Sequence, residues 1–374
     1  MDEKRKVAII AGQLVVGGAE RQLYLWLAHM DRDKFDPLVI TLHPNHNDYW
    51  EKPIEDLGIP LFRVAQRPAK MGRLVEIIKI LRSFDPDIIH GWHFFSSVYA
   101  GLAARILRVP CLGGIRSQYS PHEKGLDNCL VKTNCDAVVA NSQAAAYAYQ
   151  RALKKKHQEI YTVPNAVLDD PSNRDSLRKE LAEAHNLPMD ALWVCSVGRM
   201  DPLKRFDLLL EMADRLRNEK HKFHIVLIGD GPEKAHLEAL ASSLNIDRLI
   251  SFLGEIPNAG RWLKAMDIFC FPSLSEGLPN AVMEAAAAGL PIVAWKLPFC
   301  QELLPDAAQA LLVEPGNLEV MSSALSQLLN SAQLRAQYGS AARLHILENF
   351  DLARYIQNMT AVYELVLKRN KDLA

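Results

Sequence analysis

The feature that most restricts this chain is a repeated alternation of short apolar runs with segments of helical spacing. "KVAIIAG", "DPLVITLH", "IPLFRVA", "PDIIHGW", "PCLGGIR", "DAVVANS" and "EIYTVPN" come first, separated by stretches such as "AERQLYLWLAHM" and "SSVYAGLAARIL". The rhythm then restarts with "LWVCSVG", "FHIVLIG", "LISFLG", "DIFCFPS", "LPIVAW" and "ALLVE". Runs this apolar read as strands buried on both faces, and the alternation predicts parallel sheets covered by helices on each side. Between the two series lies "LDDPSNRDSLRKELAEAHNLPMD", a polar, proline-marked segment suited to a linker. A chain of 374 residues also exceeds one ordinary core. It therefore reads as two doubly wound, Rossmann-like α/β domains, residues 1–168 and 169–351. A long amphipathic helix follows over about 352–374.

Composition narrows the class. With 49% hydrophobic and 23% charged residues the chain is of the soluble globular kind, and a net charge of −1 argues against a dedicated nucleic-acid binder. The charge is uneven. Residues 1–168 hold 22 Lys and Arg against 17 Asp and Glu, the remainder 21 against 27. Such asymmetry hints at an anionic membrane or a phosphorylated substrate near the first half. The six cysteines lack CxxC spacing and sit mostly in apolar stretches, as reduced thiols of a cytoplasmic protein would. "MDEKRKVAIIAG" does not resemble an export signal, and no apolar run reaches the length of a membrane span.

Ligands of doubly wound sheets sit beyond the carboxyl ends of the strands, and the unusual residues of this chain cluster there. The strongest stretch is "FPSLSEGLPNAVMEAAAAGLPIVAW", residues 271–295. It leaves a strand, turns through Gly277, Leu278, Pro279 and Asn280, and enters an alanine-rich helix stopped by Gly289. Glu276 lies in the turn and Glu284 about one helical turn onward. Two carboxylates there can accept paired hydrogen bonds from sugar diols, while amides of the first helical turn hold phosphate. The plainer alternative is a turn acid and a solvated helix glutamate. "SVGRMDPLKRFDLLLEM" places Arg199 and Lys204 after another strand, two cations suited to a diphosphate or, more plainly, a solvated basic loop. "VLIGDGPEKAHL" adds a glycine turn. In the first half, "IIHGWHFFSS" brings His90, Trp92 and His93 to a strand end, "GGIRSQ" brings Arg116, and "VVANS" brings Asn141. These are candidate sugar or acceptor contacts, although a histidine at such a place is commonly structural. The opening glycines Gly12 and Gly17 have P-loop spacing, but Gly18 and Ala19 stand where that loop needs Lys and Ser or Thr.

Taken together, these residues resemble glycosyltransferase family 4, retaining enzymes of the GT-B fold. The resemblance rests on E-G-L-P-N…E-A-A-A-A-G-L-P-I-V with Glu276 and Glu284, and on "GGAER", "PDIIH", "VGR…K" and "IGDGPE" in matching order. It implies an N-terminal acceptor-binding domain, a C-terminal nucleotide-sugar-binding domain, and a final helix that packs back onto the first. It further implies that Arg199 and Lys204 neutralise the nucleotide diphosphate. Glu284 would hold the ribose and Glu276 the donor sugar, the backbone of Leu278–Asn280 would meet phosphate and sugar, and Gly254–Ile256 would receive the base. Gly17 and Gly18 would let the first loop close over diphosphate and acceptor. The expected reaction moves a sugar, foremost from a UDP-sugar, to a hydroxyl of a saccharide or lipid-linked acceptor, without cofactor or metal. The D-x-D at Asp85–Asp87 precedes a strand and reads as a turn.

Two departures stand out. Arg116 occupies a strand end where many members carry histidine, and Arg205 follows Lys204 where many carry glycine, adding either a phosphate contact or a surface charge. Arg67, Lys70, Arg73, Lys79 and Arg82, set among apolar residues in 67–84, offer peripheral contact with an anionic membrane at the inner face of the cell membrane. The same stretch also fits an ordinary surface helix, and "KKKH", 154–157, has the same ambiguity. Three rivals remain: a GT-B epimerase or phosphorylase, an inactive binding protein, and an NAD-dependent oxidoreductase. The last needs G-x-G-x-x-G after the first strand, which "GQLVVGGA" does not supply.

Overall fold

The structure is a computed structural model and describes residues 4–43, 48–64, 70–116, 126–152, 158–218 and 222–373. The chain divides into two compact units: Met1–Ala166 with Leu352–Ala374, and Val167–Asp351. The first is built on β1 (Arg5–Ala11), β2 (Phe35–Thr41), β3 (Leu61–Arg63), β4 (Ile88–Gly91), β5 (Cys111–Ile115), β6 (Ala137–Ala140) and β7 (Glu159–Thr162). These pair in parallel in the order β3-β2-β1-β4-β5-β6-β7. The second is built on β8 (Leu192–Val197), β9 (Phe223–Ile228), β10 (Ile250–Phe252), β11 (Ile268–Phe271), β12 (Ile292–Trp295) and β13 (Leu311–Val313). Its order is β10-β9-β8-β11-β12-β13, again parallel. In each sheet the winding reverses beside the first strand, between β1 and β4 and between β8 and β11. That reversal parts the two adjoining loops and opens a crevice at the carboxyl edge.

Burial on both faces explains the unbroken apolar runs. In β1, Val7, Ile9 and Ala11 pack toward Trp26, Tyr355, Met359 and Tyr363, whereas Ala8 and Ile10 pack toward Leu74, Ile77 and Tyr99. In the second unit Cys195, Val226, Phe269 and Ile292 face one layer, and Val194, Ile225, Ile268 and Val293 the other. Each Val, Ile or Phe side chain among them, withdrawn from water, contributes about 1.5–3 kcal/mol. Period-2 alternation is therefore present in space but invisible in the letters, since both faces are apolar.

The C-terminal helix, Leu352–Leu373, packs within the first unit. Its Tyr363 ring stacks on Trp26 at 5.3 Å, and the Tyr355 hydroxyl donates to the Gln22 carbonyl at 3.1 Å. Gln22 in turn holds Ala166 from both sides of its amide, at 2.7 and 2.9 Å. Five of the six cysteines are buried, Cys129 is exposed, and none is in a disulfide.

One reading needs correction. The segment expected as a linker contains the helix Arg174–His185 and belongs to the second unit. Asn173 caps it, accepting from the Ser176 amide at 3.1 Å, and Leu177, Leu181 and Ala182 are buried. Three apolar residues at helical spacing suffice when a capping Asn sets the start, and the surrounding charges disguise them. Asp267 anchors this region: it accepts from Arg174, Arg178 and the Trp193 amide, while the Arg178 guanidinium lies 3.9 Å over the Trp193 ring. The Asp85–Asp87 turn is also accounted for locally, because Asp87 accepts from Arg5 at 3.2 Å and the Lys6 amide at 2.8 Å.

Candidate active site

In the second unit the loops leaving β8, β9 and β10 are joined by their backbones. Gly198 donates to the Ile228 carbonyl at 3.0 Å, Met200 to Asp230 at 2.8 Å, and Gly229 to Gly254 at 2.7 Å. Such closeness demands glycine. A Cβ on Gly229, whose φ is +137°, would lie 2.0 Å from the Gly198 oxygen, and one on Gly231 2.4 Å from the Met200 oxygen. The "IGDGPE" turn is thus needed for loop-to-loop packing, and it leaves a backbone-lined rim beside Gly198 and Gly254. Ile256, two residues onward, packs partly buried against the core.

The β8 loop carries the cations. Asp201 accepts from the Leu203 amide at 3.0 Å and caps the 3-10 turn Pro202–Lys204. Arg205 then adopts left-handed backbone, φ +51°, before the helix Phe206–Leu216. Glycine takes this conformation freely, whereas arginine is disfavoured there by about 1 kcal/mol. The Arg205 Nε and Nη2 are bonded to Asp207 at 2.8–3.0 Å, tying the side chain to the helix start. Lys204 instead reaches across to the β11 loop and forms an ion pair with Glu276. Glu276 also accepts from the Ser273 hydroxyl at 2.9 Å, and the Leu274 amide donates to the Leu203 carbonyl at 2.9 Å. The paired side chains are only 18% and 16% exposed, so their attraction is little weakened by water. Arg199 is exposed, and its guanidinium makes no hydrogen bond or ion pair with another described residue.

The turn after Glu276 presents backbone. Gly277, Leu278 and Pro279 are buried, and Leu278 is inserted in the core. Pro279 caps the helix Asn280–Ala287 with its carbonyl, which accepts from Val282 and Met283. Ala285, Ala286 and Ala287 are buried, and small residues let this helix approach the helix Ala332–Asn349 closely. A Cβ on Gly339 would lie 2.1 Å from the Gly289 oxygen, and Arg343 donates to the Ala287 carbonyl at the helix end. Glu284, half-buried on the second turn, lies against Gly260, whose missing side chain leaves room for the carboxylate 2.9 Å from where a Cβ would sit. The structure therefore brings Arg199, Lys204, Glu276, Gly254, Ile256, the Gly277–Asn280 turn and Glu284 to one end of one sheet.

The first unit holds its own cluster at the ends of β4, β5 and β6. His90 is not a surface contact, contrary to expectation: it is wholly buried on β4, and Nδ1 shares a 2.7 Å hydrogen bond with the Tyr363 hydroxyl. Burial, with the nearby Arg116 cation, holds its imidazole well below the usual histidine range and keeps it neutral. His93 is more open, and its Nε2 lies 3.2 Å from Glu20 Oε1. Gly17 directly precedes the helix Gly18–His29, and a Cβ on it would lie 2.1 Å from Glu20 Oε2. One role of the "GGAER" glycine is thus to admit the carboxylate that orients His93. Arg116 stacks 3.9 Å over the Trp92 ring, and buried Asn141 donates to the Arg116 carbonyl at 3.4 Å.

Glu20 and Ser273 are additions that sequence reasoning missed, though both lie inside motifs it quoted. Of the basic segment, Arg73 is buried and shares a 3.3 Å contact with His43, while Lys79 and Arg82 are exposed. Arg67, the side chain of Lys70 and residues 154–157 lie outside the described residues. Among the described residues no helix is long and apolar enough to cross a membrane, and no His, Cys, Asp or Glu group is gathered as a metal would require.

Family models match almost end to end. Residues 16–170 match the Glycosyltransferase Family 4 model, and residues 178–345 that of Glycosyl transferases group 1. The chain belongs to glycosyltransferase family 4. It is 26% identical over 322 residues to LpsD of Rhizobium meliloti, a lipopolysaccharide core biosynthesis glycosyltransferase, covering 85% of this chain and 87% of that one. It is 29% identical over 238 residues to an uncharacterized glycosyltransferase of Haemophilus influenzae, covering 63% of this chain and 64% of that one. Among solved structures, HepE of Anabaena, in complex with UDP and glucose, superposes with a TM-score of 0.84 at 20% identity, over 96% of this chain and 99% of that one. That likeness shows the GT-B fold, and with the family it makes this glycosyltransferase an α/β enzyme of two Rossmann-like domains.

Proposed function

We propose that this glycosyltransferase moves a sugar from a UDP-sugar to an acceptor hydroxyl with retention of configuration, in the synthesis of a surface polysaccharide, glycolipid or lipid-linked oligosaccharide. The observation that carries the reading is the Lys204–Glu276 pair, joined across two strand-end loops beside exposed Arg199. A glycosyl donor presents a diphosphate and a polyhydroxyl ring side by side, and this arrangement offers a cation for the first and a carboxylate for the second. UDP in the HepE complex and the lipopolysaccharide role of LpsD point the same way.

The chemistry follows from charge. As the glycosidic bond stretches, positive charge develops at the anomeric carbon and negative charge on the departing diphosphate. Lys204, held mostly buried against Glu276, and exposed Arg199 oppose the second, and a fixed, water-shielded donor such as Lys204 contributes about 3 kcal/mol. Glu276 accepts from sugar hydroxyls, Glu284 from the ribose, and the turn at Leu278–Asn280 offers amides to phosphate. As the family resemblance implies, the acceptor attacks on the face the diphosphate leaves, with a phosphate oxygen taking its proton. The cations take the part that a metal ion plays elsewhere, and none is required.

The test is calorimetric titration of UDP, GDP and ADP into the intact chain, followed by nuclear magnetic resonance of the product anomer. UDP should bind more tightly than GDP or ADP, and the linkage should match the donor's. Equal affinity for all three, or an inverted product, would contradict the reading.

A further inference from the structure

Arg116 is anomalous in the first unit. Among the described residues its buried Nη1 and Nη2 have no hydrogen-bond partner, and Nε donates to the Trp92 carbonyl at 3.4 Å. Guanidinium remains charged in proteins. The groups around it are the Trp92 face, neutral His90 and the hydroxyls of Tyr355 and Tyr363, with no carboxylate paired to it among the described residues. The cation–π stack at 3.9 Å returns part of the desolvation penalty, but a buried charge is fully compensated only by an anion.

Further features of the same place favour an anion. Arg116 follows β5, and on either side the helices Phe94–Leu107 and Gln143–Ala152 begin just beyond β4 and β6. Parallel strands thus set two positive helix ends at the same sheet edge as Arg116. The His90 ring is bonded through Nδ1 to Tyr363, and among the described residues its buried Nε2 has no partner. Glu20, at the start of the helix Gly18–His29, lies against His93 at 3.2 Å.

We infer that Arg116 is the receptor for an anionic group of the acceptor, a carboxylate or phosphate on a sugar, and so determines acceptor specificity. This rests on the acceptor being a saccharide, as proposed above. The planar fork of guanidinium pairs with either oxyanion through two parallel N–H···O bonds, and Trp92 fixes the plane of that fork. A uronic acid and a sugar phosphate share this chemistry, and the experiment separates them.

The experiment measures binding of glucuronate, glucose 6-phosphate and glucose to the full chain by calorimetry, with UDP titrated in parallel. One or both charged sugars should bind at millimolar concentration where glucose does not. Arg116→Met should weaken that binding about tenfold or more, the loss expected for a charge-assisted hydrogen bond. Arg116→Lys, which keeps the charge but not the fork, should fall between. Glucuronate binding alone identifies a carboxylate acceptor, and phosphate binding alone a phosphorylated one. Thermal melting guards against misfolding: removing an unpaired buried charge should leave Tm unchanged or higher, whereas a structural arginine would lower it. The inference is overturned if neither charged sugar binds, if glucose binds equally, or if Arg116→Met retains the affinity. Loss of UDP binding by the wild-type chain would instead count against the donor assignment, because the two titrations are independent.

Discussion

Replacing Lys204 by Met separates the structural from the chemical meaning of the Lys204–Glu276 pair. Methionine keeps the length of the stem and removes the charge. In the resting enzyme the loss leaves Glu276 with the Ser273 hydroxyl at 2.9 Å as its remaining side-chain donor in the pair's network. With both partners less than a fifth exposed, the folded state should lose about 1–3 kcal/mol, the penalty for leaving a buried partner poorly satisfied. In the transition state the loss differs, because Lys204 meets charge that grows only as the diphosphate departs. By analogy with a removed oxyanion donor this is about 3 kcal/mol, or roughly 10²-fold in kcat/KM. Adding Glu276→Gln discriminates the two. The double variant should recover much of the stability, since no charge is left unpaired, yet recover none of the activity. Urea denaturation gives the first quantity and initial rates of UDP release with donor and acceptor the second. If kcat/KM of Lys204→Met stays within threefold of wild type, or the double variant regains activity along with stability, the pair is a structural bridge and the assignment fails.

Two further outcomes follow from the same geometry. Gly229→Ala places a Cβ 2.0 Å from the Gly198 oxygen at φ +137°, so the β8 and β9 loops must part. We expect Tm to fall by several degrees, with a stability loss of about 2 kcal/mol or more, and UDP affinity to fall with it; an unchanged Tm would show the loops to be independent. His224, bonded to the Ser251 hydroxyl at 2.8 Å, is pushed down by burial to about 4 from the usual histidine value of 6.5. The unfolded chain therefore takes the proton first, so stability is complete above about pH 6.5 and declines as pH falls toward 4, by up to about 3 kcal/mol. Denaturation midpoints from pH 4 to 8 should show that slope and a flatter one for His224→Gln; equal slopes would remove His224 as the cause.

Much of the architecture was legible because a parallel sheet imposes a simple code. Each apolar run named in the sequence is a strand, since burial on both faces favours apolar residues along the central strands. The motif residues were legible for a related reason: glycine and charged residues at strand ends are costly for folding and stand out against Val, Ile and Leu. The helix Arg174–His185 was not legible, because its buried stripe is three residues wide amid eight polar ones. His90 misled because a histidine's role depends on what covers it, and its cover, Tyr363, lies 273 residues away.

Sequence alone thus determined the strand–helix alternation, the two sheets and the family, all of which depend on local spacing and on residue type. Tertiary structure alone decided how polar groups are matched. It set Lys204 against Glu276, Arg205 against Asp207 and Glu20 beside Gly17, and it stacked Arg116 on Trp92. The reason is physical: hydrophobic burial is non-directional and follows composition, whereas hydrogen bonds and ion pairs act over a few ångströms and exist only once distant segments are brought together.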